Sequence, residues 1–259
     1  MSDTREILTL AVEMGDLLLR NGGEIYRVED TMLHILNAYQ IEDYDIYVLS
    51  NGIFASANEN RSDACSIIRH VPLGSVNLDK IAALNQLSRE ICCHECDCKE
   101  AFLRLAACKK KTPEKKGLSI LCCGIGCGCF SYLYGGKWLD SVCAFLLGLL
   151  LQCFLFAAGE RKSSRFITNI WGSALVTAGS LVFLHLGFPV MQDKIVIGDI
   201  MPLVPGIALT TSIRDLFNGD YLSGAIHLMD ALLTAMCIAV GVGTVIILYR
   251  YLIGGDVLL

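Results

Sequence analysis

Apolar positions recur with two different periods along the first hundred residues, and then the alternation stops. Ile7, Leu8, Leu10, Ala11, Met14, Leu17 and Leu18 fall at helical spacing, which predicts an amphipathic helix over residues 4–20. Asn21-Gly22-Gly23 ends it, because glycine adopts the backbone angles of a helix stop at low cost. A second helix is predicted over 24–39, with Ile25, Val28, Met32, Ile35, Leu36 and Tyr39 on its buried side. The period then falls to two. YDIYVLS (44–50), GIFASA (52–57) and ACSIIRHV (64–71) predict three short strands, with hairpin turns at Asn51-Gly52 and in the polar run 58–63. Pro72 and Gly74 end the sheet, and Asn77 is placed to cap a long helix. Together these elements predict a cytosolic α/β domain over residues 1–108, with helices packed on one face of a short antiparallel sheet.

Beyond Lys116 the pattern changes to long apolar runs near the ~20 residues that a bilayer core requires. Five are predicted as spans, at 117–134, 139–158, 167–187, 195–213 and 224–249, giving an all-α membrane domain of five transmembrane helices over 117–259. The fourth is the least apolar, since it contains Asp199, Pro202 and Pro205. Between the two compositions lies KKKTPEKK (109–116), a basic linker suited to anionic headgroups on the cytoplasmic face.

Charge sharpens this division. Of the 259 residues 54% are hydrophobic and 18% charged, fewer charges than the roughly 25% of a soluble domain. Residues 1–116 hold 14 Lys+Arg and 18 Asp+Glu, whereas 117–259 hold 7 and 8. Such a chain is neither disordered, nor a disulfide-stapled miniprotein, nor a single soluble globule. A net charge of −5 gives no reason to expect nucleic acid. MSDTREILTL lacks the form of a signal peptide, so the amino-terminal domain is expected in the cytosol, where its cysteines would be reduced thiols. Lys and Arg orient the spans. Lys109, Lys110, Lys111, Lys115, Lys116, Arg161, Lys162, Arg165 and Arg214 fall on the side of that domain, and Lys137, Lys194 and Arg250 on the other. Five spans then put the carboxyl end outside a cytoplasmic (inner) cell membrane.

Few residues read as chemistry. GIGCG (124–128) lies in an apolar span with no preceding strand, so its small residues read as close helix packing rather than a nucleotide loop. Cys92, Cys93, His94, Glu95, Cys96 and Cys98 have zinc-ligand types, but no second cluster pairs with them, and no metal or cofactor is expected. On the second helix Glu24, Arg27 and Thr31 share one face, beside Glu29 and Asp30. This patch reads either as a solvated face with an intrahelical ion pair or as a surface that meets a substrate, a strand or the membrane half. The stronger signal is in the fourth span. Asp199 stands in an apolar stretch, where an ionisable group is costly unless it faces a cavity or a partner. Pro202 and Pro205-Gly206 then interrupt the helix, freeing the carbonyls of Gly198 and Met201 and offering N–H groups beyond Pro205 to a carboxylate. Thr210, Arg214 and Asp215 follow it. His227 and Asp230 read either as interfacial groups or, for Asp230, as a second proton or cation carrier.

LLLRNGGEIYRVEDTM (17–32), NGIFAS (51–56) and VPLGSVNLDKIAALNQLSREI (71–91) resemble the amino-terminal domain of the threonine/serine exporter family. GGKWLDSVCAFLLGLL (135–150) and IGDIMPLVPGIALTTSIRDLFNGDYLSGAIHLMDALL (197–233) resemble its membrane part, so the likeness covers nearly the whole chain. Gly23 stands where the family pattern has alanine, and the cysteine cluster at 92–98 is outside that pattern. Full-length members fuse two membrane modules, whereas split members pair a longer protein of this layout with a short membrane partner. This chain resembles the longer half. The resemblance implies export of small polar metabolites, threonine and serine in some members and a dicarboxylate such as succinate in others. With no ATP-binding motif, a proton or cation gradient is the expected drive. No nucleophile–base pair is evident, so no enzyme activity is expected. The other reading is a membrane-anchored enzyme or sensor, for which an acidic, broken span would have no use.

Overall fold

In the computed structural model, residues 4–58, 64–72, 74, 76–94, 96–110, 116–161 and 163–253 are described. Residues 59–63, expected as a hairpin turn, Glu95, residues 111–115 of the expected linker and the carboxyl-terminal 254–259 lie outside that set. The chain is mostly helical, with one small sheet, and divides into two compact units: residues 1–112 with 211–227, and residues 113–210 with 228–259.

In the first unit, α1 (Thr4–Arg20) and α2 (Ile25–Ala38) form where helical periodicity places them. Gly22 has φ +84, a left-handed value that a side chain would strain, and it turns the chain between them. Strands β1 (Tyr44–Leu49), β2 (Gly52–Ala57) and β3 (Cys65–His70) make an antiparallel sheet in the order β1-β2-β3, with Val48 opposite Ile53 and Phe54 opposite Ile68. α1 packs on β2 and β3 and α2 on β1, so one sheet face is covered. The other carries the exposed row Tyr47, Phe54 and Ile68. The core is almost wholly aliphatic, with Leu8, Leu10, Met14, Met32, Ile35, Leu36 and Ile53 fully buried.

The helix predicted after Asn77 forms, and a further helix follows it. Asn77 does cap α3 (Leu78–Cys92), its Oδ1 accepting the Lys80 N–H at 3.0 Å. The chain then turns through His94, at φ 56, and Asp97 Oδ1 accepts the Cys98 N–H at 2.7 Å to start α4 (Cys98–Lys110). Cys92 and Cys93 sit exposed at the end of α3, and Cys96 and Cys98 are buried at the start of α4. Burial, with Cys98, Cys96, Asp97 and Cys92 nearby, pushes the Tyr39 hydroxyl up to about 12.

The second unit is built of long apolar helices. α5 (Lys116–Leu133), α6 (Trp138–Glu160), α7 (Arg165–His185) and α10 (Tyr221–Ile253) are long and apolar enough to cross a membrane. Leu133, Trp138, Trp171 and Ile247 point outward, while Ser131, Asp140, Asn169, Ser173, Thr177 and Ser180 are buried. Small residues bring the helices together, as GIGCG predicts. A Cβ at Gly124 would lie 3.0 Å from the Phe145 carbonyl oxygen, and one at Gly148 would lie 2.7 Å from Cys127 Sγ, whereas Gly126 faces open space. Asp140 is fully buried but fully used, accepting from the Lys137 N–H at 2.6 Å and the Met191 N–H at 2.8 Å.

Four helices, rather than the five expected, have span length and apolarity among the described residues. The predicted fourth span, 195–213, is divided between α8 (Gln192–Ile200) and α9 (Gly206–Phe217), with turns over 201–204 between them. Pro202 and Pro205 lack the N–H groups that would continue the ladder, which is why neither piece reaches span length.

Candidate functional site

The interrupted segment holds the most unusual group of the second unit. α8 lies against α5, α6 and α7. At Gly198 the contact with α5 is so close that a Cβ would come within 2.6 Å of the Cys127 carbonyl oxygen and 2.8 Å of the Ser131 nitrogen. This approach sets the next residue, Asp199, inside the unit at 0% exposure, with Cys127 and Cys123 beside it. No N–H or O–H group donates to either Asp199 carboxylate oxygen, the Cys127 thiol being the one weak donor beside it, and the buried Ser131 Oγ has no hydrogen bond either. Leaving a buried carboxylate unpaired is costly, so such a group persists where its protonation or its ligand matters.

The break itself is tidier than the sequence implies. The Met201 carbonyl, expected to be free, accepts the Val204 N–H at 3.2 Å, and the Gly206 N–H expected to be open donates to the Val204 carbonyl at 2.9 Å. Thr210 Oγ1 turns back to the Gly206 and Ile207 carbonyls, at 3.1 and 3.0 Å. Pro202 is exposed and Pro205 half-buried. Asp230, read as a possible second carrier, is engaged: Arg165 Nη2 donates to both of its carboxylate oxygens. Arg165 enters the sequence reading only as a topology charge; its separation from Asp230 along the chain hides the pair.

The remaining predicted residues gather in the first unit. Glu24 precedes α2, and its carboxylate pairs with Arg27 at 3.1 Å and with Arg214 at 2.5 Å. The second Arg214 nitrogen, Nη2, is buried without a hydrogen bond, 3.9 Å from Asp215 Oδ1. Asp215 is buried, with His227 and Asp220 close enough to act on its charge. Glu29 is held above the usual carboxylate range, first by burial and then by Asp220. Asp30 pairs instead with His34 at 3.4 Å. Asp30 and Glu24 thus each make a pair with a neighbour on α2, and Glu24 reaches Arg214 as well.

Among the described residues, no group of three or more His, Cys, Asp or Glu converges as a metal site.

Comparison with known proteins gives this geometry a setting. Residues 9–249 match the ThrE family model, described as "Putative threonine/serine exporter". A "Threonine/serine exporter" of Corynebacterium glutamicum is 22% identical over 93% of this chain and 51% of its own length. A "Probable threonine/serine exporter" of Mycobacterium tuberculosis is 24% identical over 92% of this chain and 45% of its own. The chain thus spans about half the length of both exporters. A "Probable succinate transporter subunit YjjP" of Klebsiella aerogenes is 22% identical over 93% of each chain. No solved structure matches. With a family match across nearly its whole length and several apolar helices, this multi-pass membrane chain belongs to the threonine/serine exporter family.

Proposed function

We propose that this chain is the larger subunit of a secondary transporter that exports small polar metabolites across the cytoplasmic membrane. The observation that carries the reading is Asp199, fully buried and unpaired beside the Pro202–Pro205 break. An anchor needs no such group, whereas a transport path needs a side chain that can take and release a proton or cation away from bulk water. Pro202, Pro205, Gly206 and Thr210 shape the path, and Arg214 and Asp215 follow it along the chain. Asp230, tied to Arg165, acts as a clamp rather than a carrier.

The solute is an amino acid of the threonine/serine type or a dicarboxylate such as succinate, the two classes named by relatives. The exporters of twice this length support a second membrane module, supplied here by a short partner of the same family or by another copy of this chain. The Lys and Arg asymmetry favours a cytosolic amino-terminal domain. If α8 and α9 together make the fourth crossing, the carboxyl end lies outside.

Proteoliposomes holding the chain, with and without a short family partner, should move labelled threonine, serine or succinate when a proton or cation gradient is imposed. Absence of flux for all three under every gradient would sink the reading. A reporter fused after Leu259 that proved cytosolic would overturn the five-crossing topology.

A further inference from the structure

Two glycines hold one thiol against the orphaned carboxylate. Cys127, on α5, is fully buried where that helix packs on α6 and α8. On the α6 side a Cβ at Gly148 would fall 2.7 Å from Cys127 Sγ and 2.8 Å from its Cβ, so a side chain there would displace the thiol. On the α8 side a Cβ at Gly198 would fall 2.6 Å from the Cys127 carbonyl oxygen, and this approach brings the next residue, Asp199, in beside it. The thiol stands at the Asp199 carboxylate as its one weak donor, while Ser131 Oγ, one turn along α5, makes no hydrogen bond. All of these residues belong to the second unit.

We infer that Cys127 is a positioning residue for Asp199: its S–H donates to the ionised carboxylate and turns away once that carboxylate holds a proton. This rests on the reading of Asp199 as the group that takes and releases a proton. A hydrogen bond made only to the charged form favours ionisation, and a buried carboxylate with no donor at all pays heavily for its charge. A thiol is a weak donor, so it eases ionisation without fixing the group in either state. The low polarity of the surroundings makes even a weak donor count. Two other titratable groups stand near Asp199, Cys123 one turn back on α5 and Cys143 on α6, and both are thiols. Asp140 of α6 spends its oxygens on the Lys137 and Met191 N–H groups. The buried face of α7, from Asn169 to Leu181, carries no group that titrates.

The test is an infrared titration of the purified full chain in lipid, read beside gradient-driven flux of threonine and of succinate over a range of pH. In wild type a cysteine S–H stretch should move in step with the carboxyl band of Asp199, and both changes should vanish in Asp199→Asn. Cys127→Ala should remove the S–H change. It should also raise the midpoint of the carboxyl band, and of flux, by roughly half to one pH unit, the size of one hydrogen bond made to a single protonation state. Cys127→Ser keeps a donor and should hold the midpoint at or below the wild-type value. Cys129→Ala removes an exposed thiol of the same helix and should change nothing. An S–H stretch indifferent to the carboxyl band would overturn the inference, and that measurement needs no Cys127 variant to fold. So would an unmoved midpoint in Cys127→Ala, or an equal shift in Cys123→Ala, which would pass the role to the neighbouring thiol. If Asp199→Asn is silent in flux while Cys127→Ala keeps the wild-type midpoint, this inference falls alone. If Asp199→Asn exports normally, the transport reading falls and takes this inference with it.

Discussion

The two units differ in what they expose and in how much polarity they bury. In the first, Leu8, Leu10, Met14, Met32 and Ile53 fill the interior, and its charges, Asp16, Arg20, Glu90 and Arg104 among them, pair toward solvent. In the second, Ser131, Asn169, Ser173, Thr177, Ser180 and Asp199 are buried beside Leu151, Val176 and Ile195, while Leu133, Trp138, Trp171 and Ile247 are exposed. Water explains the first arrangement through the hydrophobic effect. Lipid explains the second: tails are as apolar as leucine, so helices associate through small residues, close packing and polar contacts. Asp140 shows that a buried polar group in the second unit can be ordinary packing when its bonds are made; Asp199 lacks such bonds, and the proposed transport role rests on that contrast.

The largest expected effect tests that distinction directly. Asp199→Asn keeps size and removes only the charge, so gradient-coupled flux should be abolished while membrane insertion and yield stay normal. Normal flux at several pH values would reduce Asp199 to a packing residue. Pro205→Ala should slow flux less severely, by allowing helix to extend across the turn.

Next come substitutions that separate the two kinds of core. Met32→Ala in the first should cost about 2–5 kcal/mol through the cavity it leaves, seen as a lower midpoint for the first thermal transition of the full chain. In the second unit, enlargement should do the harm. Gly148→Leu would press on Cys127 and should cost about 1–3 kcal/mol in detergent unfolding, whereas Gly126→Ala should be close to neutral. Equal tolerance at both glycines would contradict the packing of α5 on α6.

The smallest effect concerns pH. The folded state holds the Glu29 carboxyl above its ordinary value, so it binds that proton more tightly than the unfolded chain. Stability from this group is therefore complete below the unfolded value, about 4.3, and declines as pH rises through the raised one. Glu29→Gln should raise the first thermal midpoint slightly at pH 7 to 8, and the gain should vanish near pH 4. A gain confined to acid would reverse the sign and exclude burial as the cause.

Much of this could be read locally. Periodicity placed α1, α2 and the three strands within a residue or two, because side-chain spacing is set by each element's own geometry. Asn77 announced the start of α3 by its cap, but the His94 turn that separates α4 has no comparable signature in a run of cysteines. Four apolar runs emerged as long helices, and the prolines located the break in the other.

Legible in the residues alone were therefore most of the elements, the contrast between a charged and an apolar half, and an acid beside two helix-breaking prolines. Tertiary structure alone decided which charges are satisfied. Arg165 neutralises Asp230, Glu24 reaches Arg214 instead of capping α2, residues 211–227 group with the first unit, and Asp199 remains unpaired. The physical reason is range. Helix and strand preferences act over a few neighbouring residues, whereas an ion pair or an orphaned carboxylate depends on which distant backbone comes within about 3 Å.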